Sequence, residues 1–211
     1  MPRTVARKKR PKERVRAPEE TRAAILAAAF TEIYRNGFQA ASLENILART
    51  GVTKGAIYHH FPDKHELGMA VLRESVRTLT QDTWVKPLSG PGDVITAIQA
   101  TLQQRSDELS ARQIEYGCPL NNLAQEMSPL DSRFRKEIEA IYREWREGIA
   151  TALERGKAEG SVRADVDSAA VAAFVVSAIE GSYGVSKGTK DGAVLKGNFG
   201  LLRNFLSGLK P

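Results

Sequence analysis

The sequence predicts an all-α protein: an N-terminal three-helix helix-turn-helix domain followed by a C-terminal helical domain. Three observations carry that expectation. Apolar residues recur every three or four positions from about residue 18 almost to the end. Capping residues and glycine or proline breaks cut the pattern into helix-length pieces. No segment alternates apolar and polar residues as a half-buried strand does.

The pieces follow in order. Pro18, Glu19 and Glu20 suit the start of a first helix, which buries Ile25, Ala28, Ala29, Ile33 and Tyr34 and stops at Asn36-Gly37. Ser42 caps a short helix over 43–49, and Thr53 caps a second over 54–60, which Pro62 ends. Asp63 and Glu66 resemble a capping box, opening a helix that runs to about residue 83. A loop over 87–92 leads to a helix over 93–109. Gly117, Pro119 and Pro129 interrupt the next stretch, leaving one short helix over 120–127. Phe134, Ile138, Ile141, Trp145, Ile149 and Leu153 mark a long amphipathic helix over 131–157. Asp167 caps a helix over 168–184, and after the glycines at 184–192 a last helix covers 193–207.

Composition narrows the class. The chain has 211 residues, 42% hydrophobic and 27% charged, as in globular proteins that fold in water. No uninterrupted apolar run reaches the length of a membrane span, and no apolar stretch follows the basic N-terminus as a secretory signal requires. A cytoplasmic location with no membrane partner is the expectation. Cys118 is the single cysteine, which excludes an intramolecular disulfide and fits a reducing compartment. The net charge of +6 is unevenly spread. Residues 1–17 hold eight basic side chains against one acid, Glu13, whereas residues 18–64 balance five of each. The expected boundaries are a disordered basic tail over 1–17, a helix-turn-helix domain over 18–64 and a helical domain over 65–211. The tail suits phosphates or a minor groove.

The segment Ser42–Phe61, SLENILARTGVTKGAIYHHF, carries the strongest chemistry. Two short helices joined by a turn at Gly51 form a helix-turn-helix, with Leu43, Ile46, Leu47, Val52 and Ile57 filling its interior. The second helix then presents Thr53, Lys54, Gly55, Ala56, Tyr58 and His59. Thr53 and the free amides beside it suit a phosphate. Lys54 suits a guanine edge or a phosphate. Gly55 and Ala56 allow close approach, and Ala56 suits a thymine methyl. Tyr58 and His59 suit backbone phosphates, as does Lys64 at the start of the next helix. His60 is expected to pack or cap. Double-stranded operator DNA is the expected partner. His59, His60 and His65 lack a cysteine or carboxylate cluster, so no metal is expected. No nucleotide loop, nucleophile elbow or metal cluster is present in the sequence, so neither catalytic residues nor a cofactor are expected. An architectural protein that coats DNA through its basic tail is the alternative.

The run from Thr21 to about Leu72 resembles the DNA-binding domain of the TetR/AcrR family of transcription regulators. The matching features are TRAAILAAAFTEIYRNGF, the S-L-x-x-I of the second helix and G-V-T-K-G-A-I-Y-H-H-F-P-D-K-x-E-L. The resemblance implies DNA contacts at Ser42, Thr53, Lys54, Gly55, Tyr58, His59 and Lys64; the charge of Glu44 conflicts with the base contact some relatives make there. It also implies that the remaining helices form a ligand-binding and dimerisation domain, whose last two pair with a second subunit. The function expected is that of a repressor released by a small-molecule or electrophile inducer.

Past residue 90 the chain is rich in apolar faces and no longer basic, which suits a core enclosing a cavity. The expected ligand-binding residues are Tyr116, Cys118, Phe134, Ile138, Tyr142, Trp145 and Phe174, with Trp84, Met127 and Tyr183 as further candidates. Core and cavity use the same residue types, so periodicity does not separate them. Cys118 opens a short helix, whose N-terminus lowers a thiol pKa. The stretch around it resembles a subset of the family, some of whose members sense electrophiles through this cysteine. The other reading is a small buried residue beside the cavity. The apolar faces over 168–184 and 193–206 are the expected homodimer interface, and the helix over 64–83 the expected transmitter between halves.

Overall fold

The structure, a computed structural model, describes residues 17–211. The expected tail lies outside the described residues, apart from Ala17, which precedes the first helix. Helix α1 spans Pro18–Asn36, α2 Leu43–Thr50 and α3 Lys54–His60. Local side chains set their ends. Ser42 Oγ accepts from Asn45 N at 3.3 Å, and Thr53 Oγ1 accepts from Ala56 N at 3.2 Å. Gly51 turns the chain between α2 and α3 at φ 68°, a left-handed conformation that suits glycine.

Helix α4 runs over 64–85 behind its cap Asp63, which accepts from Glu66 N at 2.8 Å. It ends close to the expected residue, but its winding widens to the π type over Val71–Val76 and Gln81–Val85. There Arg77 N bonds back to Leu72 O and Lys86 N to Gln81 O. Gly68 sits where α4 crosses two rings: a Cβ there would lie 2.3 Å from Phe38 Cε2 and 3.0 Å from Phe134 Cζ.

The rest comprises α5 Val94–Asp107, α6 Ala111–Tyr116, α7 Pro119–Met127, α8 Ser132–Ala158, α9 Ser168–Thr189 and α10 Gly192–Ser207. All six periodic residues of α8 are buried. Two elements differ from expectation. The interrupted stretch holds two helices, because Ser110 and Gln113 form a reciprocal capping box that starts α6. Helix α9 continues past Gly184 to Thr189. Each glycine costs a helix about 1 kcal/mol, yet Tyr183 and Ser186 are buried and hold the last turns to the body. Lys190, at φ 56°, ends it.

Helix α9 packs between α8 and α10, and α10 also packs on α5. By length and hydropathy α9 would suffice to cross a membrane, but half of it is buried within the protein. Its outer side and that of α10 leave Phe174, Val185, Leu201 and Phe205 exposed.

Candidate functional site

Helix α3 buries Ile57 and turns Thr53, Lys54, Gly55, Tyr58 and His59 to the exterior. Ala56 and His60 are half-buried. Lys54 Nζ lies 5.9 Å from the Tyr58 ring centroid, and the His59 and His60 rings meet edge to face. Ser42 and Thr53 each accept one amide as caps, which leaves each hydroxyl its own proton to give. Lys64 also makes a contact within the protein. Its Nζ donates to Gln39 O at 2.8 Å and lies 5.3 Å from the Phe38 ring centroid, an exposed bond that leaves the ammonium two further donors.

A buried carboxylate that the sequence reading missed orders this unit. Glu32, 1% exposed, sits on α1. Its Oε1 accepts from Asn36 Nδ2 at 2.9 Å, Asn45 Nδ2 at 2.8 Å and Ser42 N at 3.3 Å, and Arg49 lies 4.0 Å from Oε2. Burial pushes its pKa up. The bonds from Asn45, Ser42 and Asn36 and the charge of Arg49 outweigh that, and the carboxyl lies below its ordinary value.

Polar contacts fasten this unit to the body. Glu126 on α7 accepts from Phe38 N and Gln39 N, both at 2.8 Å. His65 Nε2 lies 2.8 Å from Asp131 Oδ2, and Arg133 pairs with Glu66 at 2.7 Å. Arg73 and Arg77 of α4 both reach Glu137 of α8 at 2.8 Å. Phe38 and Phe134 pack 4.7 Å apart beneath these pairs.

Behind the junction lies a cavity of about 210 Å³. Phe30 and Tyr34 of α1, Thr80 and Trp84 of α4, Trp145 of α8 and Tyr183 of α9 line it, with Arg105, Arg112 and Cys118. Trp84 and Trp145 stack 5.4 Å apart, and Tyr34 donates to Gly117 O at 2.6 Å. Of the expected ligand residues, Cys118 and Trp145 lie on this wall. Tyr116 stands edge-on behind Tyr34. The other four lie elsewhere. Phe134 is wholly buried against Phe38 and His65 at the junction, and Ile138 is ordinary core. Tyr142 lines a separate groove between α8 and α9 with Glu180. Phe174 is 49% exposed and packs on Phe205 at the outer face. Met127 is also core, whereas Trp84 and Tyr183 line the cavity. Phe30 and Tyr34 were missed because α1 reads as part of the DNA-binding unit alone.

The structure also corrects the expected activation of Cys118. Its Sγ donates to Glu180 Oε1 at 3.4 Å. Burial, then the neighbouring carboxylate charge, push the thiol well above its ordinary value. The amides of α7 do bond the sulfur, but desolvation outweighs them. Glu180 is pushed up to about 7 by burial, which its bond from Cys118 offsets only in part. Its Oε2 has no partner among the described residues.

Comparison with known proteins bears on both halves. Residues 25–71 match the bacterial regulatory proteins of the tetR family, and residues 94–197 match the LmrA/YxaF-like transcriptional regulator C-terminal domain. A helix-turn-helix transcriptional regulator of Lactococcus lactis, from the lacX 3′ region, is 31% identical over 183 residues, covering 87% of this chain and 91% of that one. The chain belongs to the TetR family of transcriptional regulators. The transcriptional repressor DhaR of a Mycobacterium species is 26% identical over 72% of this chain and 75% of its own length. A TetR regulator from Chloroflexus aurantiacus superposes with a TM-score of 0.78 at 26% identity, covering 90% of this chain and 96% of that one. The reduced form of Escherichia coli NemR shares the fold, with a TM-score of 0.78 at 24% identity over 88% of this chain and 96% of its own. The TetR family comprises regulators of transcription, not enzymes. The all-helical TetR architecture, with its N-terminal helix-turn-helix, is as the sequence predicts.

Proposed function

We propose that this TetR protein is a cytoplasmic homodimeric repressor that binds operator DNA through α3 and releases it when a small molecule fills the aromatic cavity. The observation that carries this reading is the outward face of α3. Lys54, Tyr58 and His59 project beside a bare Gly55, which suits a helix entering a major groove. Ser42, Thr53, Ala56 and Lys64 complete the proposed contact surface, with Lys64 also bonding the chain after α1. The exposed apolar face of Phe174, Val185, Leu201 and Phe205 is assigned to a second copy of the chain, which sets two α3 helices at half-site spacing.

Effector control rests on shared elements. Helices α1 and α4 both line the cavity; α1 packs on both helices of the helix-turn-helix and on the start of α4, which follows α3 directly in the chain. A ligand that binds one arrangement of these helices more tightly shifts the protein toward it, by no more than that difference in affinity. The clamp of Glu126 on Phe38 and Gln39 makes α1 a second transmitter beside α4.

Selection of bound duplexes from random DNA, followed by anisotropy titration, tests the reading. Lys54→Ala is expected to weaken the selected site by about 1–3 kcal/mol. Removal of residues 1–17 is expected to lower affinity and its salt slope while leaving site preference intact. Equal binding to random duplexes identifies an architectural protein instead. A monomer at micromolar concentration by light scattering overturns the dimer.

A further inference from the structure

We infer that the cavity takes a small acid: one ring on a short chain that ends in a carboxylate. The inference rests on the proposed effector site and names the ligand class it recognises. Size sets the first bound. About 210 Å³ is below the roughly 300–1,000 Å³ of sites for drug-sized ligands. The stacked pair of Trp84 and Trp145, with Tyr34 and Tyr183, supplies flat aromatic walls for the ring.

The polar groups on the wall choose the head. Several are already used internally. Tyr34 donates to Gly117 O, Thr80 to Val76 O, and Gln113 Oε1 accepts from Ser110. Arg105 shares its charge with Glu108. Two donors remain. Arg112 lies 5.2 Å from the Tyr34 ring centroid and has no carboxylate partner among the described residues. Trp145 is 1% exposed, and its Nε1 has no acceptor among the described residues. Guanidinium and indole N–H groups only donate. A ligand that meets Arg112 must bring acceptors, and a carboxylate suits its planar fork. The opposing feature is Glu180, whose free Oε2 would favour an amine. Glu180 does not line this cavity, and Cys118 stands between them.

The two tryptophans of the chain both line the cavity, so intrinsic emission reports its occupancy. The full-length protein is titrated with phenylbutanoate, phenylbutanol and phenylbutylamine, which share one apolar body. The carboxylate is expected to bind at least ~10-fold tighter than the amine, the scale of one charge-assisted hydrogen bond. Arg112→Gln is expected to remove ~10-fold of the carboxylate's affinity and leave the alcohol unchanged, with Arg112→Lys retaining part of it. Amine binding equal to or tighter than carboxylate binding, or a carboxylate indifferent to Arg112→Gln, overturns the inference. If the alcohol binds and the carboxylate does not, the inference fails while the effector cavity stands. If none of the three changes the emission, both fail.

Discussion

Two glutamates are buried among the described residues, one in each half of the protein, and on opposite terms. Glu32 in the DNA-binding unit is met by three donors and a nearby arginine, and stays charged. Glu180 in the body has one weak thiol donor and a free oxygen, and burial pushes it up to about 7. A buried carboxyl that is fully bonded organises its surroundings; one left short of partners titrates. The DNA-binding half is thus fastened by a polar hub, whereas the sensor half holds a group whose protonation responds to its environment.

The contrast can be broken by mutation. The largest effect is expected from Glu32→Ala, which strips Asn36, Asn45, Ser42 and Arg49 of their common acceptor. A loss of about 3–4 kcal/mol in urea unfolding, with loss of operator binding, is expected. A loss below about 1 kcal/mol would show that the hub is replaceable by water.

Next comes the pH dependence of Glu180. Its folded value lies above its ordinary 4.5, at about 7, so between these the folded protein holds the extra proton. Its contribution to stability is present at or below 4.5 and is lost as pH rises through about 7, on the order of 3 kcal/mol in all. Stability curves for the wild type and Glu180→Gln should diverge over that window and run parallel above it. Glu32 works in the other direction: its contribution is lost as pH falls through its depressed folded value.

A smaller change tests the junction. Glu126→Ala removes the acceptor of two backbone amides at the end of α1, and a loss of about 1–2 kcal/mol is expected in thermal unfolding. The smallest concerns Cys118. Substitution by serine keeps a donor for Glu180 and should change stability by less than about 1 kcal/mol. The thiol in the native protein should react with a maleimide at least ~10-fold more slowly than in urea, because its thiolate is disfavoured. Comparable rates would restore the view of Cys118 as a poised sensor.

What the sequence made legible follows the range of the forces involved. Ser42, Thr53, Asp63 and Asp167 read as caps because a cap acts on amides two or three residues away. The six buried residues of α8 read from their spacing alone. Ser110 and Gln113 carry the same local signal, but Gly117, Pro119 and Pro129 break the periodicity that follows them and mask the short helix. The glycines at 184 and 188 read as breaks because local propensity was the only guide, and the burial of Tyr183 and Ser186 that overrides it is tertiary. The candidate site divides in the same way. The face of α3 was legible because it is local to one helix. The turn of Lys64 onto Gln39, the burial of Glu32 and the approach of Tyr34 to Gly117 join segments 10 to 83 residues apart. Phe134, Ile138, Tyr142 and Phe174 share one composition with the true lining, and only packing sends them to junction, core, groove and outer face.

The wide turns of α4 have a consequence for length. A π turn arises when one residue is inserted into an α-helix without shifting the register on either side. Two such turns, Val71–Val76 and Gln81–Val85, flank the single α-helical turn Arg77–Thr80. The helix that joins the DNA-binding unit to the cavity therefore carries two spare residues. Deleting one within either wide turn would return that turn to ordinary pitch and leave Lys64 and Lys86 facing as they do now. Relatives that differ here by a single-residue gap would keep the same geometry at both ends.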